Sequence, residues 1–269
     1  MLKSKSFWIV VAFAIFTTIP FLGLTEFNTK GEPRESIVAV SMLQNGDWIL
    51  PTNNGGEFAY KPPFFHWCIA ATSLIPGEVT LFTSRFPSAI AAIAMLIACY
   101  IFFAKRKDET TALLASLICF TFFEVHRAIF ACRVDMVLTG LIVLALLQLY
   151  KWNEKGMRGV PIIATLLMGC ATLTKGPVGI ILPCLTMGVF SLMRGENFWK
   201  CVWKYGLTAI ISAILPALWY VAAYQRGGES FLDLVMEENF GRFMGKMSYE
   251  SHENPPHYYL VSLIAGCLP

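Results

Sequence analysis

Five short clusters of ionisable residues in this chain have the make-up of a site that handles a phosphate at a membrane boundary. The first is Gly31-Glu32-Pro33-Arg34-Glu35, where Pro33 suits a first helical turn and acids near a helix N-terminus are favoured by its dipole. The second is Ala59-Tyr60-Lys61-Pro62-Pro63. Lys61 precedes proline, so its backbone is biased to an extended form, and its ammonium can meet a lipid phosphate as a point charge. The third is Arg133-Val134-Asp135-Met136, at the start of an apolar run. A carboxylate placed in hydrocarbon costs at least about 2.5–3.5 kcal/mol, so such a group normally faces a polar cavity. Two residues apart on a helix, Arg133 and Asp135 would point apart and need not pair. The fourth is Leu173-Thr174-Lys175-Gly176-Pro177, a lysine at a break beside the exposed amides of a following helix, which together make an anion site. The fifth is His252-Glu253-Asn254-Pro255-Pro256-His257, whose two histidines are separated by prolines and do not form a helical metal pair; His252 could ligate a metal or bind an anion.

Each cluster also has an ordinary structural reading: N-capping for the first, snorkelling for Lys61, a helix-start carboxylate for Asp135, a tight turn at Lys175. His66 and His126 read as structural. The five together say more than any one. Cations would hold a lipid phosphate and stabilise it as a leaving group, while a carboxylate takes a proton from an acceptor.

Eight apolar runs position these clusters. Residues 7–24 form the first, followed by a long segment, 25–83. Within that segment, 34–43 reads as an amphipathic helix with Ile37, Val40 and Leu43 on one face, ended by Asn45-Gly46. Residues 62–76 are too few to cross a bilayer and read as an interfacial helix. Further runs cover 84–104, 110–123, 131–150 and 202–224. The stretch 159–193 would overshoot a bilayer by roughly 20 Å as one helix, so it reads as two, hinged at Gly176-Pro177. After an outer loop with a possible amphipathic helix at about 230–244, the run 258–269 is too short to cross. The sequence reads as one transmembrane domain over 1–269 that either stops in mid-span, as an N-terminal piece of a longer protein would, or ends in a docked half-helix.

The segments between runs alternate in charge. One set carries eleven Lys and Arg against four Asp and Glu; the other carries ten against fourteen and holds all five clusters. That is the positive-inside pattern of a multi-pass membrane protein with a cytoplasmic N-terminus and its motif-rich face outside the cytoplasm. A chain that is 56% hydrophobic and 14% charged is a bilayer protein, and no long basic run suggests nucleic acid. The eight cysteines form no CxxC pair and read as small buried hydrophobes.

In order along the chain, Glu32 with Arg34, Gly46-Asp47-Trp48, Lys61-Pro62-Pro63, Arg85-Phe86-Pro87, Asp135-Met136, Thr174-Lys175-Gly176-Pro177 and His252 before a proline resemble the ArnT-like polyprenyl-phosphate glycosyltransferases. These are enzymes of GT-C fold in the protein O-mannosyltransferase superfamily, typified by the aminoarabinose transferase acting on lipid A. The resemblance implies an all-α integral bundle of the inner membrane with interfacial helices in its first outer loop and its site facing the periplasm, continuing in longer family members into later spans and a C-terminal periplasmic domain. It also implies transfer of a sugar from a polyprenyl-phosphate donor to a lipid A-like, glycan or protein acceptor among membrane lipids. By the same resemblance Asp135 and Glu32 are catalytic. Lys61, Lys175, Arg34 and Arg133 bind substrate, and His252 joins a glutamate around a zinc ion. Two positions depart from the family. Gly31 replaces the first acid of the opening motif, which moves the base role to Glu32 or Asp135. Tyr60 replaces the glutamate before Lys-Pro-Pro, and Glu57 is at the wrong spacing to substitute directly. The alternatives are a transporter or flippase for an anionic lipid, or an inactive scaffold of the same fold.

Overall fold

The computed structural model describes residues 4–53, 56–59, 61–238 and 255–268. Among these residues there is no strand, only an isolated antiparallel bridge between Thr52 and Phe58. Helix α1, Lys5–Phe16, gives way to a 3-10 turn at Ile19–Phe21, because Pro20 has no amide to continue the α ladder. The first apolar run is therefore a shorter helix than residues 7–24 suggest. Helix α2 spans Gly31–Asn45 and ends where Gly46 takes a left-handed conformation, as Asn45-Gly46 predicts. Its buried face differs from the expected one. Val38, Ala39 and Met42 are inside together with Glu32, Glu35 and Ser36, while Ile37 is exposed.

Helix α3, Phe64–Ser73, buries Phe65, His66, Ile69 and Ala70 against α2 and its neighbours, so it is part of the packed body as well as a short apolar helix. Helix α4, Leu81–Arg106, starts three residues before the apolar run because Thr80 and Thr83 form a capping box. Pro87 inside α4 cannot donate to the Thr83 carbonyl. The Thr72 hydroxyl donates to that oxygen instead, at 3.2 Å. Helix α5, Glu109–Thr121, is capped by Asp108 and followed by α6, Phe123–Ile129, at a bend of 70°. Helix α7 is Val134–Glu154. It begins three residues later than the expected start at 131, leaving Arg133 extended outside it.

Helices α8, Ile162–Lys175, and α9, Val178–Met193, form the expected hairpin. Gly176 has φ +86°, and a Cβ on Gly179 would lie 2.4 Å from the Thr172 amide nitrogen, so the two helices close only with hydrogen at that position. Helix α10, Phe198–Met236, begins before the expected 202 because Asn197 caps it. At roughly 58 Å it would be far longer than a bilayer is thick, and it breaks at Gly228, φ +59°. Its second limb covers the start of the predicted amphipathic helix at 230–244; the rest of that segment lies outside the described residues. Helix α11 is Pro256–Gly266.

Helices α4 and α7 lie side by side in the middle, close enough that a Cβ on Gly140 would be 3.0 Å from the Ala91 carbonyl oxygen. Helices α1 and α5 flank α4, α8 and α9 flank α7, and α10 packs on α8 and α9. Among the described residues three helices, α4, α7 and α10, are long and apolar enough to cross a membrane, and the bent pair α5–α6 would make a fourth; α1, α8 and α9 are shorter apolar helices. The chain is an integral membrane protein. The basic segments meet at one end: Arg106 lies over Phe102 and Tyr150 and pairs with Glu154, and Asn153, Ser191 and Tyr205 form a hydrogen-bonded chain at 2.7 and 2.8 Å. The other end holds the site.

Candidate active site

At that end a hollow of about 340 Å3 opens between the Lys61-Pro62 entry to α3, the α8–α9 turn and the outer part of α10. Lys61 and Lys175 line it on one side; Trp219, Tyr220 and Phe231 form an aromatic wall on the other. Lys61 is brought there by the Pro62-Pro63 entry into α3, and Lys175 by the Gly176 break. Residues 46–52 brace the wall. The Trp219 indole donates to the Ile49 carbonyl at 2.8 Å, the Trp67 indole donates to the Trp48 carbonyl at 2.6 Å, and Arg226 pairs with Asp47 at 2.6 Å.

Asp135, in the first turn of α7, accepts a hydrogen bond from the Lys175 ammonium at 2.6 Å. Arg133 Nε lies 3.5 Å from the other carboxylate oxygen. The expectation that these two point apart is corrected by the late helix start: Arg133 is extended and off the helical spiral, so its side chain can turn back. Asp135, Lys175 and Arg133 are each about two-fifths exposed, which leaves the carboxylate open to an incoming group.

Lys61 has a second partner set behind it. It is ion-paired and hydrogen-bonded to Glu35, whose other oxygen lies 2.7 Å from His66 Nε2. Arg34 Nη2 is 3.8 Å from Glu35. These groups, with Asn53, line a small chamber of about 10 Å3, room for about one water. Burial pushes the Glu35 carboxyl upward, but the His66 hydrogen bond and the Lys61 charge outweigh it and hold the group at about 2. Arg34 borders this chamber and does not line the larger hollow.

Glu32 is placed differently from the catalytic reading. It is 1% exposed, and its carboxylate is taken up by the amides of Asn28, Thr29 and Cys132 at 2.9 to 3.1 Å. Arg85, fully buried, lies 3.7 Å away and donates to the carbonyls of Leu22, Thr25 and Glu26. A carboxylate so enclosed cannot reach an acceptor in the hollow; it ties the start of α2 to Arg85 of α4 and to the segment that leads into α7. His252 and Tyr60 lie outside the described residues. Zinc takes four ligands, at least three of them from the protein, and among the described residues no three His, Cys, Asp or Glu side chains gather to provide them. The described residues therefore do not by themselves fit a metal.

Sequence reasoning missed Glu35, His66 and the role of Arg85. Glu35 was legible in principle: Glu32, Glu35, Ser36 and Ala39 recur at helical spacing on one face, and acids on a buried face require partners.

Comparison with known proteins matches these features. A profile of the dolichyl-phosphate-mannose-protein mannosyltransferase family matches residues 60–220. The undecaprenyl phosphate-alpha-4-amino-4-deoxy-L-arabinose arabinosyl transferase of Pseudomonas aeruginosa is 28% identical over 97% of this chain and 48% of its own length. The transferase of the same name from Enterobacter sp. is 28% identical over all of this chain and 49% of its own. The crystal structure of ArnT from Cupriavidus metallidurans bound to undecaprenyl phosphate superposes with a TM-score of 0.83 at 20% identity, covering 98% of this chain and 49% of that one. The chain thus spans about half the length of the relatives it matches, and over that half the fold is shared.

Proposed function

Because the chain belongs to the dolichyl-phosphate-mannose-protein mannosyltransferase family and has the all-helical GT-C fold, we propose that it is a membrane glycosyltransferase using a polyprenyl-phosphate sugar donor of the undecaprenyl type. The acceptor is a lipid A-like or other glycan or protein hydroxyl. The protein sits in the cell inner membrane with a cytoplasmic N-terminus, and the hollow opens to the periplasm; the gathering of basic segments at the opposite end supports this orientation.

The observation that carries the reading is the pair Lys61 and Lys175 in the wall of one hollow, with Asp135 hydrogen-bonded to Lys175. The lysines hold the donor phosphate, and Lys175 is shared between that phosphate and Asp135. The acceptor oxygen attacks the anomeric carbon from the face opposite the phosphate. Its proton passes to Asp135, which Arg133 steadies. The anomeric carbon–oxygen bond to phosphate breaks, and the polyprenyl phosphate leaves with the electron pair, its charge met by the two ammonium groups. The configuration inverts. Glu32 has no step in this sequence, and neither has a metal. No charged side chain lies in the middle of α4 or α7, where a flippase would place gating groups.

Transfer of labelled sugar by the full-length protein in nanodiscs tests the assignment. Asp135→Asn is expected to lower kcat by about 10²–10⁴, the usual worth of a general base, with donor KM little changed. Lys61→Ala is expected to raise donor KM. Wild-type turnover in both variants removes the assignment.

A further inference from the structure

Among the described residues, Lys61 is the only charged side chain that borders both spaces at this end, the large hollow and the small chamber behind it. On the hollow side it faces the aromatic wall. On the chamber side its ammonium is fixed by Glu35, itself only 5% exposed. Glu35 is fixed in turn by His66, which is 1% exposed, with Nε2 2.7 Å from the carboxylate. His66 Nδ1 is buried and has no hydrogen-bond partner among the described residues, and of the two ring nitrogens it is Nε2, through Glu35, that is held. The three groups come from α2 and from either side of the Pro62-Pro63 entry to α3. The arrangement is a file: ring, carboxylate, ammonium, hollow. An ammonium has three donors. One is spent on Glu35, and the others can serve a ligand in the hollow.

We propose that Glu35 and His66 are positioning residues for the donor phosphate: together they aim the Lys61 ammonium into the hollow. The proposal rests on the reading of Lys61 as a donor-phosphate ligand. A lysine on a flexible stem loses side-chain entropy when it must hold one geometry. Glu35 removes most of that freedom before the donor arrives, and His66 keeps Glu35 from following Lys61 outward. The carboxylate touches neither donor nor acceptor. Its effect falls on donor binding and leaves acceptor binding alone.

The test uses the full-length protein in nanodiscs, with kcat, donor KM and acceptor KM measured for Glu35→Gln, Glu35→Asp, His66→Gln, Lys61→Ala and the double variant Glu35→Gln/Lys61→Ala. Glu35→Gln is expected to raise donor KM about tenfold, the loss of one charge-assisted hydrogen bond, with acceptor KM within twofold of wild type. Glu35→Asp restores part of the loss. His66→Gln raises donor KM in the same direction by about threefold, as expected when only the second link in the file weakens. The double variant is no worse than Lys61→Ala, because the carboxylate acts only through the lysine. Lys61→Ala raising donor KM while Glu35→Gln and His66→Gln leave it unchanged overturns the positioning role and spares the donor-phosphate reading. Lys61→Ala leaving donor KM unchanged overturns that reading, and the positioning role with it. Effects of Glu35 and Lys61 that multiply in the double variant, or that fall equally on acceptor KM, assign Glu35 a purely structural place and contradict the proposal.

Discussion

The carboxylates at the motif-bearing end divide by what surrounds them. Asp135 is open and held between two cations, Glu35 is buried but coupled to a lysine that reaches the hollow, and Glu32 is enclosed by backbone amides and Arg85. A sequence shows that acids and bases alternate; it does not show which acid faces which base, since Glu32 and Glu35 occupy the same helical face one turn apart. Lys61, Lys175 and Asp135 could be singled out because each sits at a break or a helix start, where a charge has few structural reasons to be. Glu32 was misjudged because its partners, the Cys132 amide and Arg85, lie far along the chain. The geometry predicts a specific cost. Glu32→Gln leaves a fully buried guanidinium without its countercharge, and removing one member of a buried pair costs about 3–5 kcal/mol. Thermal unfolding in detergent should show a large loss of stability, while the protein that remains folded keeps its wild-type kcat. A variant as stable as wild type but inactive would return Glu32 to the catalytic list.

At the level of elements, breaks were easier to read than faces. Gly46 and Gly176 end helices where the sequence places them, because positive φ is a local demand that only a few residue types meet. The face of α2 was misread because apolar periodicity assumes acids point outward, and here Glu32 and Glu35 point inward. The 70° bend after α5 is not legible in the sequence because the run 110–123 is uncharged and holds no glycine or proline to mark it. The α8–α9 hairpin matters most, since it delivers Lys175. Gly179→Ala would press a methyl group against the backbone of residues 171 and 172, where there is no flexible side chain to yield. Overpacking of this kind costs about 1–3 kcal/mol. We expect a lowered unfolding temperature in detergent and a donor KM raised as Lys175 shifts. Unaltered stability and kinetics would mean that the hairpin tolerates more separation than its packing implies.

On the scale of the whole molecule, the chain is polarised. Basic segments and their partners collect at one end of the bundle, and the residues with chemistry collect at the other. That polarity was legible from charge counts because it is a sum over many residues and survives errors in any one boundary. The shared hollow was not, since it arises only when the Lys61-Pro62 entry to α3, the α8–α9 turn and the outer limb of α10 pack together, bringing Lys61 and Lys175 to one wall from distant parts of the sequence. Convergence of the two lysines on a single phosphate is the centre of the account. It is tested most directly by equilibrium binding of undecaprenyl phosphate to the full-length protein in nanodiscs, for wild type, Lys61→Ala and Lys175→Ala. A charge-assisted hydrogen bond contributes about 1.5–3 kcal/mol, so each substitution should weaken binding by roughly 10- to 100-fold, and the double variant should bind no better than the weaker single one. Wild-type affinity in both single variants would contradict the account.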